Sequence, residues 1–334
     1  MDKKSKIIWG LFLSSILVVL IDAVFIIFDI VPPANFDKYK PYYPAVIVFS
    51  HMFYILGIKR GIFFVSLSSL TGLLFEIIGT KFGHLVGAGY VYNENIYDTI
   101  IFSVPLLIPI YWTVFIYTAY SITNSFLLWK NKNKPSHIAV LENKETEIQR
   151  YKAQVTRIQT NYKSKITNYK NYVWSLIIVS WRLFVSLYLV SWKFITNIPF
   201  FKKSIIKLIL LDALVVLSID LFMEPILVHF NHWLWQGSGF YYNIPTINFI
   251  GWFLVALIVS SIFRTFEYYS PIVQQKLHHS VYLIPLIGYV SLYSIFFVMA
   301  FKIQYLNLIR INTFIMLPII LLNLKFYIEY KRQI

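Results

Sequence analysis

Asp212, Asp220 and Glu224 lie in one largely apolar stretch, LDALVVLSIDLFMEPILVHFNHWLWQGSGFYYNIPTINFIGWF, residues 211–253. Asp220 and Glu224 are one helical turn apart and share a face; Asp212, two turns earlier, lies within about 120° of them. An ionisable group at bilayer depth costs several kcal/mol, so such residues face a bundle interior and act there. Aromatics crowd the following stretch: Trp233, Trp235, Phe240, Tyr241, Tyr242, Phe249 and Trp252. Acids beside π-faces in a low-dielectric site suit chemistry that makes a cation from an apolar substrate. The plainer readings are polar pairing between helices for Asp212 and Asp220 and an interfacial belt for the aromatics.

A second constellation is FEIIGTKFGHLVGAGYVYNENIYD, residues 75–98. Glu76 stands near the end of an apolar helix, and Thr80 and His84 follow at i+4 and i+8. All three would face one cavity if the helix continued. Glycines 79, 83, 87 and 89 should break it, and Gly-rich backbone at membrane depth is tolerated where it lines a cavity. In the SVPLLIPIYW that follows, Pro105 and Pro109 should kink the helix and free carbonyls toward the interior. His229 and His232 with Glu224 have only a weak metal-ligand spacing, and no metal is assigned. No P-loop, dinucleotide fingerprint or HExxH occurs.

These residues must be positioned by membrane helices. The chain has 334 residues, 58% hydrophobic and 13% charged, with a mean hydropathy of +0.63. Soluble domains carry about 25% charged residues. The expected fold is all-α: a polytopic integral membrane bundle of about eight transmembrane helices, or nine. Cysteine is absent, which excludes disulfides and thiolate chemistry. Net charge is +15; basic cytoplasmic loops that orient helices and touch anionic headgroups account for it better than nucleic acid does.

Apolar spans fall at about 7–31, 42–58, 60–79, 99–128, 205–230, 243–263, 281–301 and 309–328, each near the roughly 20 residues a crossing needs. The run after MDKKSK is read as the first of them, being too long for a signal peptide. Segment 173–196 carries Arg182 and Lys193, and Trp174, Trp181 and Trp192 recur along one helical face, as in a helix lying at the interface. If it does not cross, Lys59/Arg60, the 130–172 loop, Lys202/Lys203, Arg264/Lys276 and Lys331/Arg332 all fall on the cytoplasmic side with both termini. The loops at 80–98 and 231–242 then share the outer side. Residues 130–172, with ten Lys/Arg against three Glu, read as a basic amphipathic segment on anionic lipid headgroups. Three regions follow: helices 1–129 with the first constellation, the basic segment 130–172, and 173–334 with the second.

With these residues in view, the chain resembles the carotenoid-biosynthesis membrane proteins that include the carotenoid 1,2-hydratases and bisanhydrobacterioruberin hydratase. The first block is E-x-x-G-T-K-x-G, G-x-Y-x-Y and V-P-x-x-I-P-x-x-W, carried by Glu76, Gly79, Thr80, Lys81, Gly83, Gly87, Tyr90, Tyr92, Pro105, Pro109 and Trp112. The second is D-x-x-x-[DE]-P, W-x-W, G-x-Y-Y-x-[IV]-P and N-F-x-G-W, carried by Asp220, Glu224, Pro225, Trp233, Trp235, Gly239, Tyr241, Tyr242, Pro245, Asn248, Phe249, Gly251 and Trp252. HLVG (84–87), Glu224 and Asn243 depart from the pattern.

The resemblance implies water addition across the terminal double bond of an acyclic, lycopene- or bisanhydrobacterioruberin-like carotenoid, giving a tertiary alcohol. Such a hydro-lyase would act in a multi-pass protein of the cell membrane. The substrate would lie in the bilayer, other enzymes of the pathway would be neighbours, and no cofactor is required. Alkene hydration begins with proton transfer to carbon, for which a buried carboxyl can serve. Asp220 or Glu224 is the expected acid and Glu76 the base or water positioner. Asp212, Tyr90, Tyr92, Trp112, Trp233, Trp235, Tyr241, Tyr242, Asn248 and Trp252 are the expected pocket. A membrane lycopene cyclase, a prenyltransferase, and a transporter or lipid-binding protein are the rival readings.

Overall fold

Backbone polar groups in lipid have no water to bond, so apolar runs of this length satisfy them internally as helices. The computed structural model describes residues 3–97, 99–130, 202–270 and 278–332. Its helices are α1 (Lys3–Ile27), the short α2 (Ala34–Tyr39), α3 (Tyr43–Leu56), α4 (Ile58–Phe82), α5 (Leu107–Lys130), α6 (Lys202–His229), α7 (Thr246–Tyr269), α8 (Ile284–Lys302) and α9 (Leu306–Arg332). Each apolar run expected from sequence overlaps one of these, although the run at 99–128 is helical only from Leu107 onward. The interfacial candidate 173–196 and the basic segment from residue 131 onward lie outside the described residues, as does the headgroup contact expected there.

Among the described residues, five helices are long and apolar enough to cross a membrane: Ser5–Ile27, Ile58–Val86, Thr246–Tyr269, Ser280–Lys302 and Leu306–Glu329. Of the other four, α2 has only 6 residues, and the remaining three also fall short for physical reasons. α3 has 14 residues, fewer than the roughly 20 a crossing takes. α6 carries Asp212, Asp220 and Glu224, and α5 carries Thr113, Thr118, Ser121, Thr123 and Ser125, all buried. The helices least suited to lipid hold the polar interior.

Met1–Lys130, Lys207–Ser260 and Gln274–Ile334 form one compact unit, so helices from both sides of the basic segment share it. A second unit comprises Asn131–Ile206 and Ser261–Val273; its described residues are the two ends of α6 and α7 that fall in it. Within the first unit α5 is central: every residue from Trp112 to Thr123 is buried, and α3, α4, α8 and α9 all pack on it. Hydroxyls tie these helices at close range. Thr113 Oγ1 is 2.7 Å from Ser68 Oγ and 2.9 Å from Ser69 Oγ on α4, and Ser218 Oγ on α6 is 2.6 Å from the Tyr289 hydroxyl on α8. Such bonds hold helices where hydrophobic burial between them gives no advantage over lipid.

α1 and α8 run parallel. Trp9 Nε1 donates to Ser280 Oγ near one end (3.1 Å), and Lys302 Nζ bonds the Ile26 carbonyl and Asp29 at the other. α5 runs against them, with the Tyr111 hydroxyl donating to the Pro41 carbonyl (2.8 Å) and Ser125 Oγ to that of Tyr282 (3.3 Å).

Two proline expectations need correction. Pro105 sits in β3 (Val104–Pro105), which pairs with β2 (Ile100–Ile101) ahead of α5. Pro109 is the third residue of α5, where a missing N–H costs nothing because the first turn has no acceptor for it. Neither kinks a helix. The Pro109 carbonyl accepts a bond from Ser69 Oγ (3.0 Å).

Candidate active site

The loops after α4 and α6 meet as a two-stranded antiparallel ribbon of β1 (Tyr90–Tyr92) and β4 (Trp233–Trp235). Y-x-Y and W-x-W alternate at period two, so each strand sends both aromatics to one face and its middle residue to the other. Val91 and Leu234, on the outer face, are 55% and 56% exposed. The pairing sets Tyr90 opposite Trp235 and Tyr92 opposite Trp233, with ring centroids 4.7 and 5.8 Å apart. Both loops therefore emerge at one end of the bundle, as the eight-span reading expects of them. The ladder continues through Gln236 N to the Gly89 carbonyl (2.7 Å) and Asn93 N to that of His232 (3.0 Å). Gly237 permits the contact: a Cβ there would strike the carbonyl oxygen of Gly87.

Each strand grips one glutamate. Glu76, buried near the end of α4, accepts the Tyr90 and Tyr92 hydroxyls on Oε2, the latter at 2.6 Å. Its Oε1 accepts the Trp112 indole N–H at 2.9 Å. Glu224 on α6 accepts the indoles of Trp233 (2.7 Å) and Trp235 (2.8 Å), both on Oε1. Its Oε2 makes no hydrogen bond among the described residues. Burial, together with the Glu76 carboxylate, pushes the Tyr90 and Tyr92 hydroxyls well above the usual tyrosine range, so both stay donors.

Two glycines make room for this arrangement. A Cβ on Gly72 would overlap the Trp112 indole, and one on Gly79 would lie 2.7 Å from the Tyr90 ring. Gly79 follows Glu76 by three residues, and that spacing lets the Tyr90 hydroxyl reach across α4 to the carboxylate.

Asp220 lies one turn before Glu224, fully buried. Its Oδ2 accepts Asn248 Nδ2 at 3.3 Å, while Oδ1 has no partner among the described residues. Glu76, Asp220 and Glu224 are close enough to feel one another's charge. Trp112 stacks on Trp252 with centroids 4.1 Å apart and planes at 29°.

A cavity of about 370 Å³ opens on this cluster, lined by Glu76, Tyr90, Tyr92, Trp112, Glu224, Trp233, Trp235, Asn248 and Trp252. These residues, from both constellations, are brought together. The other expected site residues go elsewhere. Asp212 accepts Thr123 Oγ1 at 2.5 Å and ties α6 to α5. Asp220 stands behind Asn248 rather than on the wall.

Tyr241 and Tyr242 shape the loop. Pro225 lacks an N–H, which leaves the carbonyl four residues earlier, that of Leu221, without a helical partner. The Tyr241 hydroxyl fills the gap at 2.9 Å, and Asn312 Nδ2 approaches the same oxygen at 3.4 Å. Tyr242 leans on Tyr305 at 5.2 Å. Thr80 and His84 do not face the cavity either: α4 ends at Phe82, and Thr80 Oγ1 bonds back to the Glu76 carbonyl (2.9 Å). His229 is 3.3 Å from the Tyr305 hydroxyl.

Sequence reasoning missed part of the wall. His232 Nδ1 and the Tyr97 hydroxyl are bonded at 3.1 Å. Burial, and then nearby Lys40, pushes the His232 imidazole below its ordinary value. Lys40 itself pairs with Asp22 of α1 at 2.8 Å. At the far side His51 bonds the Tyr117 hydroxyl (2.9 Å) and the Val281 carbonyl (3.1 Å). Asp22 and His51, ionisable groups inside apolar runs, were the available signal.

The model of a family described as carotenoid biosynthesis protein matches residues 43–144 and 171–322. The chain belongs to that family. Both glutamates, Asp220, the ribbon, the stacked tryptophans and Asn312 lie within the matched residues, whereas α1, which lines one side of the cavity, precedes them. No curated protein and no solved structure matches the chain. Family and fold together make this a helical membrane protein of carotenoid biosynthesis.

Proposed function

We propose that the protein is a hydro-lyase adding water to the terminal carbon–carbon double bond of an acyclic carotenoid, with Glu224 as acid and Glu76 as base. The observation that carries this reading is the pair of glutamates, each held by two aromatic donors of one ribbon, facing a single apolar cavity. Glu224 is bonded through one oxygen only, so the other is available to hold a proton and present it to the alkene. That proton goes to the chain-side CH carbon of the double bond, and a tertiary cation forms at the dimethyl-bearing end carbon beside the indole and phenol faces. Each face steadies such a cation by about 0.5–2 kcal/mol when desolvated.

Glu76 accepts three hydrogen bonds and donates none, the pattern of an ionised carboxylate. It takes a proton from the water whose oxygen bonds to the cation, leaving the alcohol. The proton returns from Glu76 to Glu224 before the next cycle, so the sum is alkene plus water. Asp220, one turn from Glu224 and short of hydrogen bonds, shares that proton and replenishes it. Tyr90 sits against Trp235 and bonds Glu76, which keeps the two glutamates in fixed register.

Pigment analysis after expression in lycopene-producing cells tests the reading. Wild type should give products heavier by one or two waters, and Glu224→Gln and Glu76→Gln should leave lycopene unconverted. An isomer of unchanged mass would replace hydration by cyclisation, in which an internal alkene traps the cation.

A further inference from the structure

The cavity extends well beyond the acids. It follows one face of α8, from Met299 through Ile295, Leu292 and Gly288 to Ile284. At 1.5 Å per residue these 15 steps span roughly 22 Å. Phe12, Ile16 and Val19 of α1 face it from the other side at helical spacing. Its inner end is a packed floor: Phe12, Ile47 and Ile284 belong to both the lining and a buried cluster with Ile8 and Val281. The acids sit toward the ribbon end, at the level where α5 begins. The void is therefore elongated and largely apolar, with the glutamates toward one end, a shape suited to an extended chain rather than a compact ligand.

We infer that this channel seats the polyene behind the reacting end of the substrate, and that Gly288 sets how far the chain can descend. Gly288 is one turn above the floor residue Ile284 and on the same face. A Cβ there meets no atom within 4 Å, so a larger side chain would enter the channel without displacing the helix. The inference uses the hydratase reading only for which end of the chain reacts; the seat requires no particular reaction.

The test compares Gly288→Leu and Gly288→Trp with Gly10→Leu. Gly10 is an exposed α1 glycine whose Cβ also meets nothing within 4 Å, and it does not line the channel. Lycopene retained by protein in lipid nanodiscs is measured by absorbance, and product by mass spectrometry. Conversion of geranylacetone, a short isoprenoid with the same terminal group, is followed in parallel. Retained lycopene should fall at least tenfold in both Gly288 variants and stay within twofold of wild type in Gly10→Leu. Geranylacetone conversion should change less than twofold in Gly288→Leu. Full lycopene retention by Gly288→Trp would overturn the channel, as would equal loss of both substrates. If wild type retains lycopene through Gly288 yet makes no alcohol, the channel stands and the hydratase reading fails.

Discussion

Tyr90 and Trp235 are cross-strand partners with ring centroids 4.7 Å apart, and each delivers its polar tip to a different glutamate. The ribbon therefore couples the ends of α4 and α6 through side chains. Neither carboxylate can move without dragging the aromatic stack between them.

Alternation along the ribbon gives a sharp contrast. Tyr92→Phe and Trp233→Phe each remove one of the donors to a buried carboxyl group that keeps its others, at a cost of about 0.5–3 kcal/mol for the lost bond. Val91→Ser and Leu234→Ser, on the outer face, should leave melting temperature and conversion within error of wild type. Thermal unfolding in detergent, paired with pigment conversion, reads both. Equal effects on the two faces would mean that the ribbon is not the clamp described here.

How much of this was legible in the sequence follows from periodicity. The helices were, because 20-residue apolar runs have few alternatives in lipid. Glu76 and Glu224 were too, since an acid in such a run is costly. Y-x-Y and W-x-W carried the strand signal as well, but three residues of alternation are too short to tell a strand from an aromatic belt. Asp212, Tyr241 and Tyr242 were expected in the pocket and are not there, because one-dimensional spacing does not reveal which neighbour completes a bond. Thr123 takes Asp212, and the carbonyl freed by Pro225 takes Tyr241. That last contact could have been anticipated from Leu221 lying four residues before a helical proline.

Gly79→Ala should act through Tyr90. The added Cβ falls 2.7 Å from its ring, and overpacking of this kind costs about 1–3 kcal/mol. Conversion should fall as it does in Tyr90→Phe. The double variant should be no worse than the poorer single one, because both disturb the same hydroxyl. Additive losses in the cycle would place the effect of Gly79 elsewhere.

Acidification should destabilise the loops through His232. Its folded value lies below the ordinary 6.5, so the two states bind protons equally above 6.5. Below it the unfolded chain takes up a proton that the folded chain resists, and stability is lost as pH falls. The melting temperature should decline below about pH 6.5, and His232→Gln should decline less steeply. Parallel curves for the two proteins would contradict this.

The most direct measurement follows the water itself. Purified protein in nanodiscs is given lycopene in heavy-oxygen water, beside Glu224→Gln and Glu76→Gln variants that still retain the pigment. Mass spectrometry should find one heavy oxygen per reacted end in wild type and at least about 100-fold less product in each variant, as expected for loss of a general acid or base. Product without the heavy oxygen, or turnover undiminished in both variants, would contradict hydration by this pair of glutamates.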